Sequence, residues 1–254
     1  TIHLIRDRLG QKPLFYSLDN NQLVFSSNLI SLSKYCSHLK LSEESVNQYL
    51  DIGVIPSPNT LFENIYKLEP AQIIKFSMGT FVKLTEKTKY WDIKNYVGEE
   101  QFSYGEFIEL FNDSVKVRKE SDVPISYFLS GGLDSTAIIK SATEDEDSDN
   151  INTFSVVSND DKYNESEYSD EVARKFNTNH TKCVVDNNLD QDLIFKIISS
   201  YDELYFDPSV IPSYLLSKEI SKYNKVAISG DGGDELFGGY TRTGKIINQP
   251  ASWN

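Results

Sequence analysis

The order of apolar and polar positions divides the chain into two halves with different rhythms. Up to residue 92, short β-type runs alternate with turn-rich stretches. Ile2-His3-Leu4-Ile5 reads as one strand, and His3 as a strand residue. Leu14 to Leu18 and Leu23 to Ser26 flank Asp19-Asn20-Asn21-Gln22, a turn composition that predicts a hairpin. Leu29 to Tyr35 and Ser42 to Leu50 predict short helices, the second opened by Ser42 with Glu43 and Glu44 in its first turn. Gly53 to Asn59, holding Pro56 and Pro58, is loop. Gln72 to Phe76 and Phe81 to Leu84 around Ser77-Met78-Gly79-Thr80 predict a second hairpin. Thr85 to Gln101 is polar and reads as connecting chain.

Beyond that point helical and strand periods alternate. Ser103 and Glu106 form a capping-box pattern for a helix that points Phe107, Phe111, Val115 and Val117 toward a core. Val123 to Phe128, Thr153 to Val157, Thr181 to Val185 and Lys225 to Ile228 read as strands. Between them come helices opening at Ala137 and at Glu165, the latter with Tyr168, Val172 and Phe176 at core-facing spacing. Asp190 to Ser200 and Val210 to Lys222 continue the helical alternation. Such β-α-β-α order predicts an α/β fold with a mostly parallel sheet and right-handed crossovers. Glu144-Asp145-Glu146-Asp147 reads as a solvated charge run.

Two strand-to-helix turns carry the candidate chemistry. Leu129-Ser130-Gly131-Gly132-Leu133-Asp134-Ser135 offers small residues, hydroxyls and a helix N-terminus, which together suit a phosphate. Asp134 facing phosphates makes sense if a divalent cation lies between them. On these residues alone, a plain Ser/Gly turn with an Asp cap remains open. There is no Walker pattern and no dinucleotide fingerprint. The second turn, Ser229-Gly230-Asp231-Gly232-Gly233-Asp234 through Tyr240, is too rich in glycine and acid for a core segment; a solvated loop is its bland reading. If both follow strands of one sheet, they face a ligand at the carboxyl ends of those strands.

Composition narrows the field. With 254 residues, 39% of them apolar, the chain is long enough for one large or two ordinary domains. A net charge of −13 excludes a general nucleic-acid or anionic-membrane binder. Cys36 and Cys183 are the only cysteines, so reduced thiols in a cytoplasmic protein are expected, with Cys36 a buried small hydrophobe. No apolar run reaches membrane-spanning length and no signal peptide opens the chain.

Val123-Pro124 before Leu129–Ser135, taken with Ser229–Tyr240, resembles the glutamine-dependent asparagine synthetase family. Arg6 to Tyr16, Phe25-Ser26-Ser27, Tyr90-Trp91-Asp92 and Asp207 to Pro212 agree with it in family order. The resemblance implies that residues 93–254 form an ATP-binding synthetase domain, truncated at its C-terminus. Its sheet would be mostly parallel and doubly wound, of the adenine-nucleotide alpha-hydrolase (PP-loop) type. Residues 1–92 would be the α+β tail of an N-terminal-nucleophile glutaminase domain and a linker. The implied reaction adenylates aspartate with ATP and Mg²⁺, and glutamine-derived ammonia then displaces AMP. Ser130, Gly131, Gly132 and Ser135 would hold pyrophosphate, Leu129, Ser229 and Gly230 the nucleotide, and Asp134 and Asp234 the metal. Val156 would pack on the adenine, with an ordinary core valine as the alternative. Asp231, where the family often has Glu, is the candidate base. A homodimer is compatible with the family.

Departures from the family pattern matter as much. The family's N-terminal Cys nucleophile and glutamine-binding residues fall before Thr1, and a phosphate-stabilising Lys falls after Asn254. A piece of a longer polypeptide is therefore expected, one that by itself neither hydrolyses glutamine nor turns over at a normal rate. Glu203-Leu204-Tyr205-Phe206-Asp207 stands, beside Asp202, where the family usually has Glu-Pro-Phe-Ala-Asp at the substrate-side rim. That difference leaves three readings: aspartate as acceptor, another carboxylate (a sugar acid or a β-lactam-type ring closure), or a nucleotide-binding chain without catalysis. Glu165-Ser166 matches an acidic-Ser pair of the family, and His180 is expected to be structural.

Overall fold

A computed structural model of the chain describes residues 1–36, 38–98, 102–144, 150–158, 166–185, 190–207, 209–241 and 243–244. Contacts divide it into two compact units, Thr1–Glu100 with Gln191–Pro208 and Gln101–Asp190 with Ser209–Asn254. Among the described residues no helix is long and apolar enough to cross a membrane.

The first unit begins with β1 (Ile2–Ile5) and the hairpin β2 (Phe15–Asp19) and β3 (Gln22–Ser26). Asn20 and Asn21 turn that hairpin with φ of 46° and 63°, the left-handed backbone that the tight primed turn demands. Helices α1 (Leu29–Ser33) and α2 (Glu43–Ile52) follow. The Ser42 hydroxyl accepts from the Ser45 N–H to cap α2. Strand β4 (Tyr66–Lys67) joins β2, giving a sheet ordered β3-β2-β4. The second hairpin, β5 (Gln72–Met78) and β6 (Val82–Lys89), takes β1 on its other side. Leu4, Ile74 and Phe76 of one sheet pack with Tyr16, Leu18 and Leu23 of the other, while Phe15 packs with Leu29 and Leu32 of α1. Strand β6 runs through Thr85 to Lys89, part of the stretch read as connecting chain. It is an edge strand with almost every side chain exposed, so its polar composition is no bar to pairing. A short 3₁₀ helix, Ile93–Tyr96, follows it.

The second unit opens with α3 (Tyr104–Arg118), β7 (Ile125–Phe128), α4 (Leu133–Glu144), β8 (Asn152–Ser158), α5 (Ser166–Phe176) and β9 (Asn179–Val185). After α6 (Gln191–Ser200), which belongs to the first unit, come α7 (Val210–Ile220), β10 (Val226–Ile228) and α8 (Gly233–Phe237). The sheet is ordered β10-β7-β8-β9 and every pairing is parallel. On one face Val115 of α3, Ile139 and Ala142 of α4 and Ala173 of α5 pack over Tyr127, Leu129, Ile151 and Ile228. On the other, Leu216 and Ile220 of α7 cover Phe154 and Cys183. Helices on both faces make this the doubly wound α/β architecture expected.

Two core assignments differ from the expectation. Val117 is exposed, because it lies about 200° around α3 from Val115; Phe111 and Val115 face the core, and Phe107 packs on Phe111. Tyr168 is 66% exposed, and Ser169 and Ala173 take the inward face of α5 with Val172 and Phe176 beside them. Glu165, the charge run at 145–147 and Pro208 lie outside the described residues.

Sequence alternation places α6 among the crossovers of the parallel sheet, whereas the structure packs it and the chain after it on the first unit. Asp202 accepts from the Asn28 amide and, at 3.1 Å, from the Leu29 N–H at the start of α1. Tyr205 bridges to Val54, and the Phe206 N–H donates to the Gly53 carbonyl at 3.0 Å. Glu203 pairs with Lys67 at 2.9 Å, and Lys67 also donates to the Ile55 carbonyl at 2.5 Å. Burial pushes the Glu203 carboxyl above its ordinary range, against the pull of Lys67, and among the described residues its other oxygen has no hydrogen-bond partner. Removing one member of such a pair leaves an uncompensated charge. Lys67→Met is therefore expected to cost about 3 kcal/mol in urea unfolding at about pH 7. The cost should shrink at about pH 5, where the unpaired Glu203, its pKa raised further, folds protonated. An equal loss at both pH values would contradict this.

Candidate active site

Strands β7 and β10 are neighbours, with Tyr127 level with Ile228. The turns that follow them therefore leave the sheet side by side at its carboxyl edge, the usual ligand position in open α/β folds. Leu129 closes β7 with a buried side chain and donates its N–H to the Phe154 carbonyl at 2.8 Å, so it offers the turn only backbone. The Ser130 hydroxyl accepts from the Gly132 N–H at 3.2 Å and lies 3.1 Å from the buried Ser135 hydroxyl. Ser135 donates in turn to the Gly132 carbonyl at 3.2 Å, and the Thr136 N–H bonds that carbonyl at 3.0 Å to start α4. Gly131 has φ of 84°, and a Cβ on it would stand 2.5 Å from the Tyr168 Cβ and 2.7 Å from the Ser169 nitrogen. The first turn of α5 is thus the wall behind the turn at 130–135.

The second turn closes over Asp134. A Cβ on Gly230 would lie 3.1 Å from the Asp134 Cβ, and one on Gly233 would lie 2.5 Å from its Oδ2. Asp134 thus occupies a notch that exists because both residues are glycine. The Gly233 N–H bonds the Gly230 carbonyl at 3.1 Å, which shapes the notch. Ser229 donates to Asp231 Oδ2 at 2.8 Å, holding that exposed carboxylate in place. The Asp234 carboxylate is turned against Gly239, leaving no room for a side chain there.

The structure brings Ser130, Gly131, Gly132, Asp134 and Ser135 together with Ser229, Gly230 and Asp231, and places Asp234 one residue beyond the notch. Val156 lies on the other face, half-buried against the cluster of Phe154, Cys183, Leu216 and Ile220. Among the described residues neither Asp134 nor Asp234 enters an ion pair, and no three His, Cys, Asp or Glu side chains gather into a metal cage. That donor set suits Mg²⁺, which uses one or two carboxylates and completes its shell with phosphate oxygens and water. The positive end of the α4 dipole points at the same turn.

Sequence reasoning missed the wall formed by Tyr168 and Ser169. Helical spacing assigns Tyr168 to the core, and nothing local to Gly131 says which backbone stands behind it. The two adjacent glycines differ sharply in consequence. Gly131→Ala is expected to cost about 3 kcal/mol and to abolish nucleotide binding, through strain at positive φ and collision with α5. Gly132→Ala, which meets only the Ser130 hydroxyl at 3.2 Å, is expected to cost under about 1 kcal/mol. Urea unfolding and nucleotide titration of both variants check this, and equal losses would contradict it.

Comparison with known proteins agrees with this geometry. A family profile described as asparagine synthase matches residues 106–253, and one described as a glutamine amidotransferase domain matches residues 1–91. The chain is 36% identical over 92% of its length to a Methanocaldococcus jannaschii protein provisionally named glutamine-hydrolyzing asparagine synthetase 2, covering 46% of that protein. It is 34% identical over 97% of its length to glutamine-hydrolyzing asparagine synthetase 1 of Bacillus subtilis, covering 38% of it. The chain thus spans less than half the length of these relatives. Over 55% of this chain and 61% of the other, the structure overlays an NH3-dependent NAD synthetase from Campylobacter jejuni at a TM-score of 0.38 and 18% identity, which adds nothing to the assignment. Two glycine turns locked through Asp134, inside a profile match that spans both, establish that the chain belongs to the asparagine synthetase family.

Proposed function

We propose that residues 93–254 serve ATP-dependent amide synthesis of the asparagine synthetase type, and that residues 1–92 belong to a glutaminase-type domain that supplies ammonia from glutamine. The observation that carries this reading is the seating of Asp134 against Gly230 and Gly233, which makes one site of two distant turns.

In this reading a carboxylate oxygen of aspartate attacks the α-phosphorus of ATP, the bond to the bridging oxygen breaks, and pyrophosphate leaves. Ammonia then attacks the carbonyl carbon of the aspartyl adenylate; the bond to AMP breaks and the new amide nitrogen loses a proton. The hydroxyls of Ser130 and Ser135 and the backbone N–H groups of Gly131 and Gly132 hold the pyrophosphate oxygens, with the α4 N-terminus behind them, while Leu129 anchors the turn through its N–H bond to the Phe154 carbonyl. Ser229 and Gly230 hold the nucleotide from the facing turn, and Val156 borders the adenine. Asp231, exposed and steadied by Ser229, takes the proton from the amide nitrogen. Asp134 and Asp234 would hold Mg²⁺, which offsets the charge that builds on the leaving group. A cytoplasmic location, where ATP and reduced thiols coexist, fits Cys36 and Cys183, which are not bonded to each other.

Given ATP, Mg²⁺, ammonia and aspartate, the intact protein is expected to yield AMP, pyrophosphate and asparagine in equal amounts. Asp134→Asn is expected to lower that rate on the order of 10²–10³-fold while the thermal unfolding midpoint holds. Release of ADP and phosphate instead, or pyrophosphate release with other carboxylic acids and none with aspartate, would overturn the reading.

A further inference from the structure

We propose that His180 is a positioning residue for the phosphate turn, because by bonding Thr153 and Ser155 beneath α5 it sets where the first turn of α5 closes on Gly131. The proposal rests on the nucleotide-site reading above and extends it to a residue that touches no substrate.

His180 lies on β9 level with Thr153 of β8, and its side chain is only 9% exposed. Its Nδ1 is 2.9 Å from the Thr153 hydroxyl and its Nε2 is 3.1 Å from the Ser155 hydroxyl. Thr153 also meets the Thr178 hydroxyl at 3.0 Å. Thr153 and Ser155 are buried, so each hydroxyl depends on these partners. The result is a polar floor spanning two strands beneath α5.

Charged groups tie that floor to α5. Asp170 Oδ1 stands 3.9 Å from His180 Nε2, and Asp170 Oδ2 accepts from Lys182 Nζ at 2.8 Å. Burial holds the His180 imidazole below its ordinary range, with Asp170 raising and Lys182 lowering its pKa, so the neutral ring is favoured at pH 7. A neutral ring donates from one nitrogen and accepts at the other, which both hydroxyls can complement. Asp170 directly follows Ser169, whose nitrogen would stand 2.7 Å from a Cβ on Gly131. Ser169 is fully buried and donates to the Ser166 carbonyl at 3.0 Å, which stiffens this first turn. Were α5 to settle lower, it would strike the Gly131 backbone; higher, and the turn would lose its wall. An aliphatic residue at 180 could fill the space but would take the ring away from both hydroxyls and from Asp170 of α5.

The test compares His180→Leu, which removes both bonds, with His180→Gln, which keeps a donor and an acceptor. In the intact protein His180→Leu is expected to raise the KM for ATP roughly tenfold, leaving the KM for aspartate within about twofold, and His180→Gln is expected to recover most of the loss. Hydrogen exchange of the amides at 130–133 should quicken in His180→Leu, a readout that needs no activity. Unchanged exchange there and an unchanged KM for ATP, with only the unfolding midpoint lowered, would overturn the proposal, as would a parallel rise in both KM values. If the wild-type protein shows no ATP-dependent activity, the functional reading fails while the exchange comparison still decides the role of His180.

Discussion

One close approach governs this molecule: the Asp134 side chain lies so near the backbone of Gly230 and Gly233 that no Cβ fits at Gly233 without collision. A carboxylate opening α4 and a glycine turn about a hundred residues later meet because β7 and β10 are hydrogen-bonded neighbours in a parallel sheet. The adjacency of those strands depends on the cores of both faces. On one side Val115, Ile139 and Ile228 hold α3 and α4 over the strands, and on the other Leu216 and Ile220 do the same for α7. Apolar burial therefore sets an electrostatic feature, the position of the Asp134 carboxylate at the mouth of a helix N-terminus.

The turn at 130–135 is enclosed from two directions. The second glycine turn confronts it in front, and Tyr168 and Ser169 of α5 stand behind Gly131. The positive φ of Gly131 and the approach of α5 are two demands on one residue, and only glycine meets both. The turn's internal bonds, from the Gly132 N–H to the Ser130 hydroxyl and from the Ser135 hydroxyl to the Gly132 carbonyl, fix both hydroxyls within the turn.

Much of the fold was legible in the chain because its signals are local. The Asn20-Asn21 turn, the Ser42 and Ser103 caps and the alternation of strand and helix after residue 103 each follow from a few neighbouring residues. What escaped depends on partners distant in sequence. That β10 lies beside β7, and not at the far edge beyond β9, is decided by packing on both faces. The helix at 190–200 reads as part of the strand-helix alternation, yet the chain that follows it is tied down elsewhere, with Asp202 and Glu203 finding partners at Asn28, Leu29 and Lys67. Val117 and Tyr168 are apolar or aromatic residues that helical phase carries outward. At the site, the motif residues were visible as a set, but the notch around Asp134 and the wall behind Gly131 exist only in three dimensions.

A crystal grown with ATP and Mn²⁺ in place of Mg²⁺ tests the central claim most directly, since anomalous scattering locates the ion independently of the nucleotide. The account predicts the triphosphate between the turns at 130–135 and 229–233, with the ion bound to Asp134. A triphosphate bound away from both turns, or an ion with no contact to Asp134, would contradict it.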